Sequence, residues 1–210
     1  MISPRGASPI ASSSALRAPL LVLASESPRR LALLAQAGIV PDAVKAAGID
    51  ESIHRNELPR PYAQRLAAAK AAAAAAAWDG PPAVFLAADT VVSVGRRILP
   101  KAETDEEVRA CLALLCGRAH RVTTALAALP TVGGTLRTRT VETRLIFDRL
   151  DAPAIESYVR CGEGLGKAGG YAVQGRAETF VRQLGGSYSN VVGLPLRETI
   201  SLLRSCGIPC

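Results

Sequence analysis

The chain has 210 residues, 49% of them apolar and 20% charged, with 18 glycines and 14 prolines. That length suits one domain, and the apolar share excludes intrinsic disorder as the main state and any collagen-like or linker-dominated chain. A formal charge of +7 permits polyanionic partners without choosing among them, although aromatic residues at 4% argue against nucleic-acid modules that rely on ring stacking.

Residues 1–19 are rich in Ser, Pro and Ala and carry Arg5 and Arg17 with no acid. They are expected to form a disordered tail rather than a targeting segment, because the apolar run 18–24 is short and contains Pro19. Residues 20–24 read as a first buried strand. Ser27-Pro28 then opens a helix, with Ser27 as N-cap, Pro28 at the first helical position and Gly38 as its stop. The pattern predicts a second helix over 61–78, carried by an alanine tract that Lys70 interrupts, since alanine is the best helix former. The apolar run 83–88 suits a buried central strand that ends just before Asp89. Residues 91–99, turning near Gly95, read as a hairpin, and Thr104 with Glu107 forms a capping box for a helix to about residue 116. Two long strands near 122–129 and 136–147 follow, joined across Gly133-Gly134. A helix from Asp151 to about 159, a strand over 178–184 and a helix over 195–206 complete the pattern. Strands and helices interleave without an internal repeat, which predicts one α/β domain over 20–210 with a mixed sheet.

No run approaches the ~20 apolar residues of a membrane-spanning helix. The five cysteines (Cys111, Cys116, Cys161, Cys206 and Cys210) form no C-x-x-C pair, and neither His54 nor His120 stands at zinc-ligand spacing. Free thiols in a reducing cytoplasm are the expectation.

The segment Ser25-Glu26-Ser27-Pro28-Arg29-Arg30 puts a strand end, a polar turn and a helix start in sequence. A helix N-terminus offers unpaired N–H groups and partial positive charge, which together bind phosphate. Arg29 and Arg30 carry the wrong sign for that position, at a cost of ~0.3–1 kcal/mol each. Either a polyanion binds there, or the arginines reach out to solvent or to nearby acids. Asp89-Thr90 follows the buried run, and α/β sheets carry ligands beyond their carboxyl strand ends. A carboxylate at that point can activate water or ligate Mg2+, or simply form a turn. Asp50-Glu51 offers a second source of carboxylate. Lys70 and Lys101 are candidate phosphate cations, though each taken singly reads more simply as a solvated lysine. The run from Gly164 to Gly169 matches G-x-G-x-x-G but follows a helix instead of a strand, so it reads as a loop and not as a dinucleotide fingerprint. It leads to Gln174, whose amide can pair with a base edge. No nucleophile elbow is present, which disfavours covalent acyl chemistry.

Six collinear segments together resemble the Maf family of nucleoside triphosphate pyrophosphatases. They are 23–30 around Ser27-Pro28-Arg29-Arg30, 65–71 around Lys70, Ala88-Asp89-Thr90-Val91-Val92, 115–120 ending in His120, Lys167 to Gly175, and Gly186 to Leu196. The resemblance implies a mixed twisted sheet flanked by helices, in two lobes around a deep cleft similar to inosine triphosphate pyrophosphatases, and a homodimer. It implies hydrolysis of a nucleoside triphosphate to the monophosphate and pyrophosphate with a divalent cation, Mg2+ or Mn2+. By the same matching, Asp89 is the proton acceptor, and Arg29, Thr90 and Gln174 are tied to substrate choice. Ser25, Arg29, Arg30, Lys70 and Lys101 fall at phosphate positions, and Glu51 with Asp89 at metal positions.

The Asp89 and Gln174 blocks resemble the subgroup acting on dTTP and UTP, with modified pyrimidine triphosphates as further candidate substrates, which implies an enzyme that cleanses the nucleotide pool. The composition and the cysteines add the expectation of a cytoplasmic protein with no membrane or nucleic-acid partner. The competing expectation is a non-catalytic nucleotide- or nucleic-acid-binding regulator of septum formation. This chain departs from the family pattern at Gly166, where Asp is common, and at Pro100 and Ala102, which flank Lys101 where Gly-Lys-Pro is usual.

Overall fold

The structure, a computed structural model, describes residues 18–210; most of the expected N-terminal tail, residues 1–17, lies outside the described residues. A seven-stranded mixed sheet forms the frame. Its order is β2 (Ala43–Val44), β1 (Leu20–Leu23), β3 (Ala83–Val94), β6 (Ala119–Pro130), β7 (Arg137–Phe147) and β9 (Val181–Gly185), with β4 (Arg97–Leu99) hairpinned onto the far end of β3. The β2-β1-β3 half is parallel and the β3-β6-β7-β9 half antiparallel. A separate two-stranded ladder joins β5 (Lys101–Ala102) to β8 (Lys167–Ala168). The helices are α1 (Pro28–Gln36), α2 (Pro59–Ala76), α3 (Asp105–Leu115), α4 (Ala152–Cys161), α5 (Tyr188–Val192) and α6 (Leu196–Ser205).

Local signals set most boundaries. α1 ends where Gly38 takes a φ of +72°, and the Gly38 and Ile39 amides then close on the Ala35 and Leu34 carbonyls at 2.9 Å each. Ile39 packs back onto Leu34, so the chain turn and the hydrophobic contact reinforce each other. Thr104 accepts from the Glu107 amide at 3.2 Å, while the Glu107 carboxylate reaches back to the Glu103 amide at 2.7 Å, one residue earlier than in the usual capping box. Ser27 occupies the N-cap of α1, but its side chain makes no cap hydrogen bond.

Three expectations need correction. β3 does not end before Asp89 but runs on to Val94, because β6 pairs with it antiparallel from Val84 to Ser93 and keeps the ladder going. What ends is the parallel neighbour: β1 stops at Leu23, opposite Leu86. Asp89 therefore sits mid-strand, yet beyond the carboxyl end of the parallel pair. The strand expected over 178–184 starts only at Val181, since residues 176–180 coil into a 3-10 turn. The glycine-rich run is more than a loop, because Lys167-Ala168 pairs with β5. A Cβ on Gly169 would lie 2.8 Å from Val92, so this glycine lets the segment pack directly on β3.

The period-2 alternation of β3 sorts its side chains onto two faces. Val84, Leu86 and Ala88 pack with α1 and α6, whereas Ala83, Phe85, Ala87 and Val91 face α2. On α2, Ala63, Ala67, Ala71 and Ala74 recur at helical spacing and lie buried against Ala87, Ala125 and Ala127 of the sheet. Methyl against methyl brings helix and sheet close. A third cluster joins the far ends of β3, β6 and β7 to α3 and α4. Its aromatic side chains Phe147, Tyr158, Tyr171 and Phe180 meet edge to face, with centroids 5.0 to 6.1 Å apart.

The tight alanine contact yields a stability prediction. Ala67→Leu overfills it and should destabilise the fold by ~1–3 kcal/mol, read as a lower urea midpoint with an unchanged slope. An unchanged midpoint would mean that α2 can stand off from the sheet freely.

Candidate active site

The turn after β1, the start of α1, the middle of β3 and the β5–β8 ladder surround a cavity of about 460 Å3. That is within the usual range for a small-ligand site. Ser25, Arg29, Arg30, Glu51, Lys70, Asp89, Thr90, Lys101 and Gln174 all line it and so meet at one place, whereas Asp50 turns away to accept from the Ser52 amide and hydroxyl. In particular, Arg29 and Asp89 open onto the same space.

Asp89 alternates with Ala88 and Thr90 and so faces α2. The residue is 5% exposed, and its Oδ1 accepts from Lys70 Nζ at 2.6 Å. Lys70, which taken alone read as a solvated lysine, is instead largely buried and also contacts Glu51 Oε1 at 2.7 Å. The other oxygen of Glu51 meets Lys101 Nζ at 2.6 Å. A chain of alternating charge thus runs Asp89–Lys70–Glu51–Lys101 along one wall. Burial raises the Asp89 pKa above the ordinary carboxylate value, opposed by Lys70 and Arg30 and assisted by Glu51. Burial also pushes Glu51 up, but its hydrogen bonds to Lys101 and Lys70 outweigh this and hold it at about 2.

The loop that carries Glu51 is fastened to α2. Tyr62 donates its hydroxyl to the Glu51 carbonyl at 2.8 Å. Arg65 forms a two-pronged pair with Glu57, both contacts at 2.8 Å, and donates to the Ser52 carbonyl. These anchors fix where the carboxylate stands.

The two arginines at the start of α1 behave differently. Arg30 turns inward: Nε donates to the Gly193 carbonyl at 3.0 Å, Nη1 to Ser25 Oγ at 2.9 Å and Nη2 to Thr90 Oγ1 at 3.4 Å. Thr124 donates its proton to the Asn190 carbonyl, so the Thr90 hydroxyl donates to Thr124 and is left to accept from Arg30. Burial lowers the Arg30 pKa, with Asp89 pulling it back up. Burial lowers the Arg29 pKa as well, and among the described residues no acid pairs with it. Neither arginine simply reaches to solvent.

Tyr171 and Lys167 line the cavity as well and were not singled out among the candidate residues. The signal for Tyr171 is its partner: buried His120 places Nε2 2.9 Å from the Tyr171 hydroxyl, and its ring lies edge-on to both Tyr171 and Phe147. Among the described residues His120 Nδ1 makes no hydrogen bond of ordinary geometry. Gln174 follows on the same segment and is exposed to the cleft.

No cluster of three or more His, Cys, Asp or Glu side chains occurs among the described residues. Two carboxylates, Glu51 and Asp89, nevertheless converge on a single ammonium. A pair of hard oxygen donors fits Mg2+, which is commonly held by one or two carboxylates, with substrate phosphates and water completing the shell. No helix among the described residues is long and apolar enough to cross a membrane, and all five cysteines are unpaired.

Comparison with known proteins places this geometry in context. A family profile described as Maf-like protein matches residues 20–206. A dTTP/UTP pyrophosphatase of Gluconobacter oxydans is 58% identical over 189 residues, covering 89% of this chain and 86% of that protein. One from Rhodopseudomonas palustris strain BisB18 is 59% identical over 195 residues, 91% and 94% of the two chains. One from Brucella abortus strain 2308 is 55% identical over 194 residues, 90% and 92% of the two.

The buried imidazole behind Tyr171 gives a pH prediction. Burial pushes His120 down to about 4 from its ordinary 6.5, the Arg118 backbone only partly offsetting this. Below the ordinary value the unfolded chain binds the extra proton first. The contribution of His120 to stability is therefore full above about pH 6.5 and is lost as the pH falls towards 4. His120→Gln should flatten the stability curve between those limits relative to the unsubstituted protein, in urea titrations across that range. Parallel curves would sink the assignment.

Proposed function

The chain belongs to the Maf family, and on that footing we propose that it hydrolyses dTTP and UTP to the monophosphate and pyrophosphate and so cleanses the nucleotide pool. The carrying observation is that Asp89 and Arg29 line one cavity, with Lys70 and Glu51 beside the carboxylate. The relatives, at 55% to 59% identity over most of this chain, bear the name dTTP/UTP pyrophosphatase, which supports turnover over the binding-only regulator.

In this reading Asp89 accepts a proton from water as the water oxygen attacks the α-phosphorus and the bond to the bridging oxygen of the β-phosphate breaks. Pyrophosphate departs with both remaining phosphates. Burial suits the carboxylate to this work, because a base with a raised pKa draws the proton more strongly. Lys70 holds the carboxylate oriented. Phosphoryl transfer relies mainly on positioning and charge, so no covalent nucleophile is needed. Arg29 meets the phosphates with its guanidinium and with its own amide, which no acceptor among the described residues claims, Ser25 and Arg30 shape that turn, and Lys101 holds Glu51 at the rim. Thr90 and Gln174 contribute to substrate choice, Gln174 through its two-sided amide. Glu51 and Asp89 would hold a divalent cation, Mg2+ or Mn2+, which when bound neutralises phosphate charge. A cytoplasmic homodimer completes the proposal; the five free thiols favour a reducing compartment.

Pyrophosphate release from a nucleotide panel should favour dTTP and UTP over purine triphosphates and cease when EDTA removes the metal. Binding of dTTP without release would refute the enzyme reading. Asp89→Asn should lower kcat by ~10²–10⁴, and activity of the unsubstituted enzyme should fall on the acid side at a pH above the ordinary Asp value. Gln174→Ala should alter the dTTP-to-UTP preference while the fold persists; an unchanged preference removes its role.

A further inference from the structure

Five cationic side chains line the cleft: Arg29, Arg30, Lys70, Lys101 and Lys167. Their charges are not equally available to a ligand. Lys70 lies between Glu51 and Asp89 at 2.7 and 2.6 Å, and Lys101 gives its ammonium to Glu51 at 2.6 Å. Arg30 is committed to Ser25, Thr90 and the Gly193 carbonyl. Arg29 and Lys167 are different. Among the described residues neither forms an ion pair, and the one ionised group that bears on Lys167 is Arg29 itself.

The two reach the cavity from different walls. Arg29 projects from the first turn of α1. Lys167 sits on β8, which the ladder to β5 and the bond from the Gly166 amide to the Ala102 carbonyl at 2.7 Å hold in place. Among the described residues the Lys167 ammonium makes one hydrogen bond, to the Leu165 carbonyl at 3.0 Å. Burial first, and then the like charge of Arg29, push Lys167 below the usual lysine value. Two uncompensated cations held towards one cavity repel each other when it is empty of anions. An anion between them turns that repulsion into attraction on both sides.

We propose that Lys167 is a phosphate-binding residue, closing with Arg29 as a two-sided clamp on the phosphate chain of the substrate and on the pyrophosphate it releases. The anion's identity rests on the pyrophosphatase reading above. Lysine suits the position as a compact, rotatable point charge that can follow the phosphate as it leaves.

The test uses the full chain and inorganic pyrophosphate as the probe. Calorimetric titration should show Lys167→Gln binding pyrophosphate roughly tenfold to a hundredfold more weakly, with Lys167→Arg restoring most of the loss. KM for dTTP should rise in parallel. In the unsubstituted protein, pyrophosphate should also slow acylation of Lys167 by an amine-reactive reagent, a readout that needs no variant to fold. Equal pyrophosphate affinity in Lys167→Gln, or no protection of Lys167, overturns the clamp. Should the protein bind pyrophosphate through Lys167 yet fail to hydrolyse dTTP, the function reading fails and the clamp stands. Should it hydrolyse dTTP with an unchanged KM in Lys167→Gln, the clamp fails and the function reading stands.

Discussion

The contact on which the site depends is the ion pair between Lys70 and Asp89. A carboxylate this deeply buried is costly unless a cation and hydrogen bonds compensate it. The cation comes from α2, and it reaches Asp89 only because alanine side chains let that helix lie close to β3 and β6. Larger residues at Ala67 or Ala71 would hold the helix off and strand the carboxylate. The alanine tract, which looks like simple composition in the sequence, is therefore a spacing device for one charged contact. Lys70 also gathers Glu51, and the Tyr62 and Arg65 anchors keep the loop of Glu51 from drifting.

The same sheet divides labour between neighbouring residues. Asp89 and Thr90 follow one another on β3 and so point to opposite faces. Asp89 meets the cations of the α2 side, and Thr90 joins the hydroxyl network with Thr124 and Arg30. Arg29 and Arg30 likewise differ by one helical step, about 100° of rotation. One is bound into the walls while the other is left open to the cavity. The cleft consequently balances much of its charge internally, and its surplus is concentrated where no acid competes for it.

Across from these groups, the segment from Lys167 to Gln174 is held by two kinds of contact. Gly169 packs against Val92 with no room for a side chain, and Tyr171 is gripped by His120 and the ring of Phe147. A neutral buried imidazole is well suited to this task, since a charged one would need a partner that the aromatic cluster does not supply.

The order and type of the elements were legible in the sequence because their signals are local. Caps at Thr104 and Asp151, the Gly38 stop, alanine propensity and alternating apolar residues each act within a few positions of the chain, and the collinear blocks carried the family. Most of the candidate residues could be named from those blocks, Glu51 and Lys101 lying between them. Tertiary pairing decided the rest. Whether β3 stopped before Asp89 depended on β6, a partner some 35 residues away. Whether Lys70 was solvated depended on how closely α2 approached the sheet. Which of two adjacent arginines stayed open depended on a carbonyl at Gly193, 163 positions from Arg30. Charges and hydroxyls are satisfied through space rather than along the chain, so residue types fix what chemistry is available and packing fixes which groups remain free to perform it.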